Sequence, residues 1–320
     1  MEQYDLIVVG GGISGMTAAL TALDKGIDRV LILEREEVLG GVLNQCIHNG
    51  FGESFLNVSV TGPEYISLVE EKLKEHPVDI KLQANVLEIE ENMLVRYVSP
   101  DGVIKVKGQT IILASGCRER YTGNIAIPTN SFTGIYTVGN AHRTIVQEGY
   151  MPGKYPVIVA NSKWGIILAR RFVIEGGKIQ GLIIDENENF KFDEEMKELL
   201  EGFNIPVINN HKVIEALGEE RIEEVKIMEN GTNTITDVPC DCLILSVGYF
   251  PEKDAIKNLG LEVDMYTKGP KVKEYKTSIE GIFACGNLIY GVNALKEKDI
   301  CGFKAGEKAA EYIKSKSKNF

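Results

Sequence analysis

A chain of 320 residues with 35 basic and 46 acidic side chains carries a formal charge of −11. That length suits about two domains, each with its own core. The acidic balance argues against non-specific binding to nucleic acid or acidic membrane surfaces, and no apolar run approaches the roughly 20 residues that span a bilayer. The first strand begins within five residues of Met1, so no secretory leader is read. The six cysteines are Cys46, Cys117, Cys240, Cys242, Cys285 and Cys301, and none forms C-x-x-C or C-x-x-x-x-C. No redox-active dithiol is written locally, neither a disulfide nor a metal site is expected, and a reducing cytoplasm fits best.

In chain order, the opening stretch Asp5–Glu34 carries the strongest signal. The apolar run Leu6–Val9 suits a strand buried on both faces. Gly10, Gly12 and Gly15 follow as G-x-G-x-x-G, then an apolar-periodic helix from Ile13 to about Leu23, then a second strand, Val30–Leu33, ending on Glu34. Gly10 permits a tight turn, Gly12 lets the backbone approach a pyrophosphate, and Gly15 lets the helix pack on the strand. The helix start at Ile13 and Ser14 offers free N–H groups to phosphate, and Glu34 can accept hydrogen bonds from an adenosine ribose.

The stretch Leu39–Gly52 is rich in glycine and amides and reads as a loop. A helix with Pro63 in its first turn follows, with apolar positions Tyr65, Ile66, Val69 and Leu73. Short strands are expected at Val78–Leu82, Val86–Ile89, and in a Met93–Val106 hairpin turning at Pro100-Asp101-Gly102. Thr110–Ala114 reads as a separate buried strand ending at Ser115-Gly116.

After a helical pattern near Ala141–Gln147, the opening unit recurs. Val157–Val159 is a strand, Trp164–Val173 a helix, and Ile179–Ile184 a strand ending on Asp185. Gly10, Gly12 and Gly15 fall on Ala160, Ser162 and Gly165, 150 residues later. A helix (Asp193–Leu200), a strand (Ile205–Ile208), a hairpin at Asn230-Gly231, the strand Cys242–Val247 and a closing helix around Ala305–Ile313 complete the pattern. The basic tail, Lys314 to Lys318, reads as a helix end.

Four signatures along this length resemble the two-dinucleotide-binding-domain flavoprotein oxidoreductases. They are the glycine fingerprint with Glu34, the Gly40-Gly41 pair, the Ala114-Ser115-Gly116 strand end, and Thr277 to Asn287 as a second flavin motif. The resemblance implies an α/β fold of two Rossmann-like (three-layer) domains, the second inserted into the first. The FAD domain spans 1–118 and 246–320, and the NAD(P)-binding-like domain 119–245. It implies FAD contacts from Gly10, Gly12, Ile13, Ser14, Gly15, Glu34, Arg35, Gly41, Val42, Asn44, Ala114, Ser115, Gly116, Gly286 and Asn287. Asn287 stands where the superfamily carries an acid.

The stretches 43–52, 116–120, 134–137 and 148–154 resemble one branch. It holds small flavoprotein subunits associated with glycerol-3-phosphate dehydrogenase-like enzymes, and the flavin/NAD subunits of sarcosine oxidase, hydrogen cyanide synthase and dye-linked proline dehydrogenase. The resemblance implies hydride exchange between FAD and NAD(P)H, and electron exchange with a partner dehydrogenase or acceptor subunit; a homodimer is left open. The second glycine loop departs from the pattern. A Cβ at Ala160 disfavours positive φ, and Ser162 puts a side chain where a pyrophosphate must approach. Two readings stand: the loop binds a nicotinamide, helped by Lys163, or the domain has lost its nucleotide. Asp185 favours NADH over NADPH.

Cys46 and His48 are the candidate catalytic residues, placed by the resemblance beside the flavin ring. His48 would deliver protons near neutral pH and Cys46 would touch the ring or sense redox state; packing is the alternative for both. Arg118 and Arg120 would pair with acids or hold an anion. Trp164 would stack on a ring or fill a lost nucleotide's space. Lys296, Lys298 and Asp299 follow the second flavin motif, where a lysine would stabilise a reduced flavin.

Overall fold

A computed structural model describes residues 1–185, 190–290 and 300–317. The chain forms two compact units, Met1–Arg118 with Phe250–Phe320, and Glu119–Tyr249.

The first unit opens with β1 (Glu2–Val9), α1 (Ile13–Asp24) and β2 (Val30–Leu33). It continues through α2 (Glu53–Leu56), α3 (Gly62–Leu73), β3 (Val78–Lys81), β4 (Asn85–Ile89), β5 (Leu94–Ser99) and β6 (Gly102–Leu113). The strands run in the order β3-β2-β1-β6-β5-β4. β1 pairs in parallel with β2, Leu6 opposite Val30, and with β6, Leu6 opposite Thr110. Leu6, Ile7 and Val8 are fully buried, as a strand covered on both faces requires. α3 starts where Thr61 and Glu64 form a capping box, Glu64 accepting the Thr61 N–H at 2.9 Å. Thr110–Ala114 is not a strand of its own: β6 runs unbroken for 12 residues. It changes neighbours on one side along its length, from β5 to a strand near the C-terminal end.

After β7 (Cys117–Glu119), the second unit contains α4 (Thr122–Ile125), β8 (Ile135–Thr137), α5 (Val138–Val146), β9 (Pro156–Ala160), α6 (Lys163–Ile174), β10 (Gly181–Ile184), α7 (Glu194–Gly202) and β11 (Val207–Ile208). β12 (His211–Gly218), β13 (Ile222–Glu229), β14 (Ile235–Pro239) and β15 (Cys242–Ser246) follow. The sheet order is β11-β10-β9-β15-β8, with β12-β13-β14 as a separate antiparallel sheet. Residues of β9 alternate between two cores. Val157 and Val159 join the cluster that includes Val225 and Ile227 of β13, while Ile158 and Ala160 join the one that includes Leu168 and Phe172 of α6.

β16 (Tyr249–Pro251) pairs with β7, and β17 (Ile282–Ala284) lies beside β6. α8 (Asn287–Tyr290) and α9 (Ile300–Ser317) end the described chain. α9 begins before the expected Ala305 because it packs along α1: a Cβ at Gly302 would strike the Ser14 carbonyl, and one at Gly306 the Ala18 carbonyl. That close approach offsets the poor helix propensity of the glycines. Near its end Lys316 pairs with Glu280 at 2.8 Å; Lys296, Lys298, Asp299 and Lys318 lie outside the described residues. Among the described residues no helix is long and apolar enough to cross a membrane.

One half-buried acid in the second unit makes stability depend on pH. Glu119 accepts the Gly139 N–H at 2.8 Å at the start of α5. Burial pushes its carboxyl above the usual range, outweighing hydrogen bonds from Thr137, Gly139 and Asn140 that pull it down. The folded state therefore holds this proton more tightly than the unfolded state. Its contribution is full below the unfolded carboxyl range and is lost as pH rises through the raised value. Denaturant titrations at stepped pH should show a shallower decline for Glu119→Gln than for the parent; equal slopes would refute the assignment.

Candidate functional site

The glycine fingerprint forms a tight turn between β1 and α1. Gly10 sits at φ +104° and donates its N–H to the Leu33 carbonyl at 2.8 Å. A Cβ there would strike the Ala114 carbonyl, and one at Gly15 would strike the Gly10 carbonyl. Gly12 is different. Its φ −66° and ψ 171° suit any residue, and a Cβ on it would meet no atom of the described residues within 4 Å. Neither the backbone nor packing among the described residues requires a glycine at position 12, which leaves an open cradle there. α1 starts there with no side-chain cap and no acid in its first turn, which leaves N–H groups and the positive dipole end for an anion.

Glu34 closes the floor of this turn. It is buried, with one carboxylate oxygen accepting the Gly11 N–H at 2.6 Å and the other the Glu36 N–H at 2.9 Å. Each oxygen retains a lone pair for a sugar hydroxyl. Arg35 is anchored by an acid that local sequence reading missed. Glu252, 8 % exposed, takes Arg35 at 3.3 Å and also binds the Arg118 guanidinium; Arg118 reaches Asp254 at 3.1 Å as well. Of the two readings of Arg118, pairing with acids is what the structure displays. No motif spacing links positions 35, 118 and 252; only the fold joins them. The same segment clasps the expected strand end. Ser115 donates its hydroxyl to the Glu252 carbonyl at 2.8 Å, and the Glu252 N–H bonds to the Gly116 carbonyl at 3.0 Å.

The Gly-Gly loop folds over the turn. Gly40 donates to the Gly11 carbonyl at 2.8 Å, and a short 3₁₀ turn runs over Gly41–Gln45. The Asn44 amide donates to the Leu39 carbonyl at 2.8 Å and the Gly41 carbonyl at 3.2 Å, so it braces the loop from within. Val42 is exposed. The two catalytic candidates are placed differently. Cys46 is fully buried, its thiol 3.4 Å from the Val42 carbonyl. His48 is half-buried, with Nδ1 3.0 Å from the Asn49 carbonyl and its ring 5.1 Å from that of Phe51.

At the other expected cofactor motif, Gly286 has φ +70°, and a Cβ there would lie 2.9 Å from the Ser14 hydroxyl. Asn287 opens α8. Cys285 and Cys301 nearby are both fully buried. The Cys285 thiol donates to the Ser14 carbonyl at 3.9 Å, and the Gly286 N–H donates to the Cys301 sulfur at 2.7 Å.

The duplicated unit keeps the architecture but not the loop. Ser162 takes the N-cap position of α6 that Gly12 takes in α1. Ser162 does bring a side chain to this position, and its hydroxyl bonds the Ser246 hydroxyl at 2.6 Å. Ala160 remains in β9 as ordinary strand. Gly165 is held close, since a Cβ on it would meet that of Ala160 at 2.6 Å. Lys163 is exposed at the first turn of α6, and Trp164 packs partly against the core of this unit. Asp185 ends β10 beside the loop, its N–H on the Ala160 carbonyl at 2.9 Å, with burial raising its carboxyl above the usual range.

Two parallel β-α-β units, each with an acid after its second strand, form a dinucleotide-binding type of fold. The chain matches the family model described as pyridine nucleotide-disulphide oxidoreductase over residues 4–304, and it belongs to that family. An NADH dehydrogenase of Ferdinandcohnia aciditolerans is 23 % identical over 311 residues, covering 97 % of this chain and 56 % of that protein. The thioredoxin reductase of T. acidophilum superposes with a TM-score of 0.78 at 22 % identity, covering 99 % of both chains. The L-proline dehydrogenase of P. horikoshii superposes with a TM-score of 0.67 at 20 % identity, over 99 % of this chain and 56 % of that one. The chain spans about half the length of the curated relatives it matches. Family membership implies FAD and NAD(P)H, and the open cradle at Gly12 over an uncapped helix start fits a dinucleotide pyrophosphate.

The glycine geometry yields a discriminating test. Gly12→Ala should leave the thermal midpoint of the flavin-free chain unchanged while the flavin-to-protein absorbance ratio on purification falls at least about tenfold. Gly10→Ala should instead destabilise even the flavin-free chain, by about 1–3 kcal/mol, through its left-handed backbone. Full flavin retention by Gly12→Ala would remove this loop from the cofactor site.

Proposed function

We propose that the chain is an FAD-dependent oxidoreductase that moves a hydride or electron pair between NADH and an acceptor or partner dehydrogenase subunit. The observation that carries this reading is the open Gly12 cradle over Glu34, together with its echo over Asp185. Gly10, Gly12, Ile13, Ser14 and Gly15 hold the pyrophosphate of FAD, and Glu34 and Arg35 its adenosine. Gly41, Val42, Asn44, Ala114, Ser115 and Gly116 line the rest of the cofactor, with Gly286 and Asn287 at the opposite side. FAD when bound supplies two-electron acceptance from a nicotinamide and onward transfer. The chain's own part is to bind, orient and exclude water, with His48 as the residue that delivers a proton.

Asp185 supports NADH, because a carboxylate hydrogen-bonds a free ribose 2′-hydroxyl and repels a 2′-phosphate. The inward turn of the Ser162 hydroxyl supports nicotinamide binding at α6, since what remains at the loop is a single Cβ. The name NADH dehydrogenase on the relative from F. aciditolerans agrees with this. So does the resemblance to flavin/NAD subunits of multi-subunit dehydrogenases, and it extends the proposal to a partner subunit in the cytoplasm. A second reading rests on Ala160: with ordinary strand backbone there, the loop lacks the left-handed turn that Gly10 gives the first unit. On that reading the second unit binds no nucleotide, and the protein is an electron-transfer or assembly subunit.

Anaerobic titration separates the two. NADH should bleach the flavin absorbance, NADPH should do so poorly, and Asp185→Ala should weaken the NADH response about tenfold. Flavin indifferent to both nucleotides yet reduced by dithionite would favour the second reading.

A further inference from the structure

One buried acid of the first unit holds two guanidiniums from distant parts of the chain. Glu252 follows β16. One of its carboxylate oxygens takes both Arg118 and, at 3.3 Å, Arg35; the other accepts the Asp254 N–H at 3.3 Å. Its main chain is tied between the Ser115 hydroxyl and the Gly116 carbonyl, so the carboxylate cannot follow a guanidinium outward. Arg35 comes directly after Glu34, the acid placed to read a ribose. Its side chain is exposed, with Nε 3.6 Å from the half-exposed Glu36. An arginine in this position has a second chemistry open to it, because an arginine near the ribose is what accommodates a 2′-phosphate in a dinucleotide site. Here its nitrogens are turned to acids of the protein instead.

We propose that Glu252 determines the specificity of the first dinucleotide site. By holding Arg35 it keeps the site selective for an adenosine ribose with a free 2′-hydroxyl, as in FAD, and against a 2′-phosphorylated ribose, as in NADPH. This rests on the FAD reading above and deepens it. Arg35 and Arg118 face Glu252, Asp254 and Glu36, so two cations meet three acids and no positive charge is left over for a phosphate. Glu34 adds its own repulsion at the ribose. The partners are not equal. Asp254 is exposed and Glu36 half-exposed, and ion pairs in such places are weak. Glu252 is shielded from water, where attraction between charges is stronger. Without the charge of Glu252, Arg118 still reaches Asp254, while Arg35 is left beside the half-exposed Glu36. Its terminal nitrogens can then fork onto a phosphate, which suits a planar guanidinium. Arg35 adjoins the ribose acid in the chain and Arg118 does not, so Arg35 is the one whose release changes what the site accepts.

The test reads the first site through flavin. The full chain is stripped of FAD, and FAD rebinding is competed with ADP-ribose or with 2′-phospho-ADP-ribose, which differ only in the 2′-phosphate. A competitor bound at the second unit alone leaves rebinding unchanged. In the parent, ADP-ribose should compete at least about tenfold better. That preference should fall about fivefold in Glu252→Gln and return when Arg35→Ala is added to it. Arg118→Ala should keep the preference within about twofold of the parent, because Arg35 is still held. A merely structural Glu252 would weaken both competitors alike, so an unchanged preference in Glu252→Gln, or a loss that Arg35→Ala does not repair, would overturn the proposal. Arg35→Ala alone decides the matter if Glu252→Gln does not fold. A guanidinium held by Glu252 adds nothing toward a 2′-phosphate, so the preference should stay level; a rise of about fivefold would show that Arg35 already reaches the phosphate and would overturn the proposal. A parent that takes up no flavin would overturn the FAD reading and this proposal with it, whereas flavin uptake with an unchanged preference overturns this proposal alone.

Discussion

Three backbone carbonyls with no room in front of them govern the first unit. Ala114 fixes Gly10, Gly10 fixes Gly15, and Ser14 fixes Gly302. Each contact removes a side chain and brings two backbone segments together. The result wedges α1 between the strand ends of the sheet and α9, so the helix start has one position available. Pyrophosphate recognition by backbone N–H groups depends on that fixity, because the donors belong to the helix and not to a mobile side chain.

The second unit repeats the topology with the constraint relaxed. Where Gly10 turns left-handed, Ala160 stays extended, and where Gly12 leaves a gap, Ser162 sends a hydroxyl into the core toward Ser246. The paired hydroxyls satisfy each other in a buried place, as buried polar groups must. They also tie the loop to β15. The two copies thus solve the same geometric problem differently: one by subtraction of side chains, the other by an internal hydrogen bond.

What could be read in the sequence was whatever one contiguous stretch encodes. The fingerprint with Glu34, the Pro63 helix and the copy ending at Asp185 each carry their period and punctuation within about 30 residues, which is the size of a βαβ unit. Glu252 could not be found that way, because its partners Arg35 and Arg118 come from distant parts of the chain. β12 escaped because a register shift between Val213 and Glu215 breaks its alternation. β6 was divided at Gly108-Gln109, where propensity suggests a break and two flanking strands carry the backbone through.

The seam between α1 and α9 has a consequence for how the protein is made. Glu119–Tyr249 is a continuous stretch and can complete its fold as soon as it emerges. The first unit cannot, because β17 and α9 are synthesised only after that whole insertion. At roughly 5–20 residues per second, the face of α1 that receives Gly302 and Gly306 waits on the order of ten seconds or more for its cover. The inserted unit is therefore the first able to finish, and the dinucleotide loop gains this support only once α9 has been made.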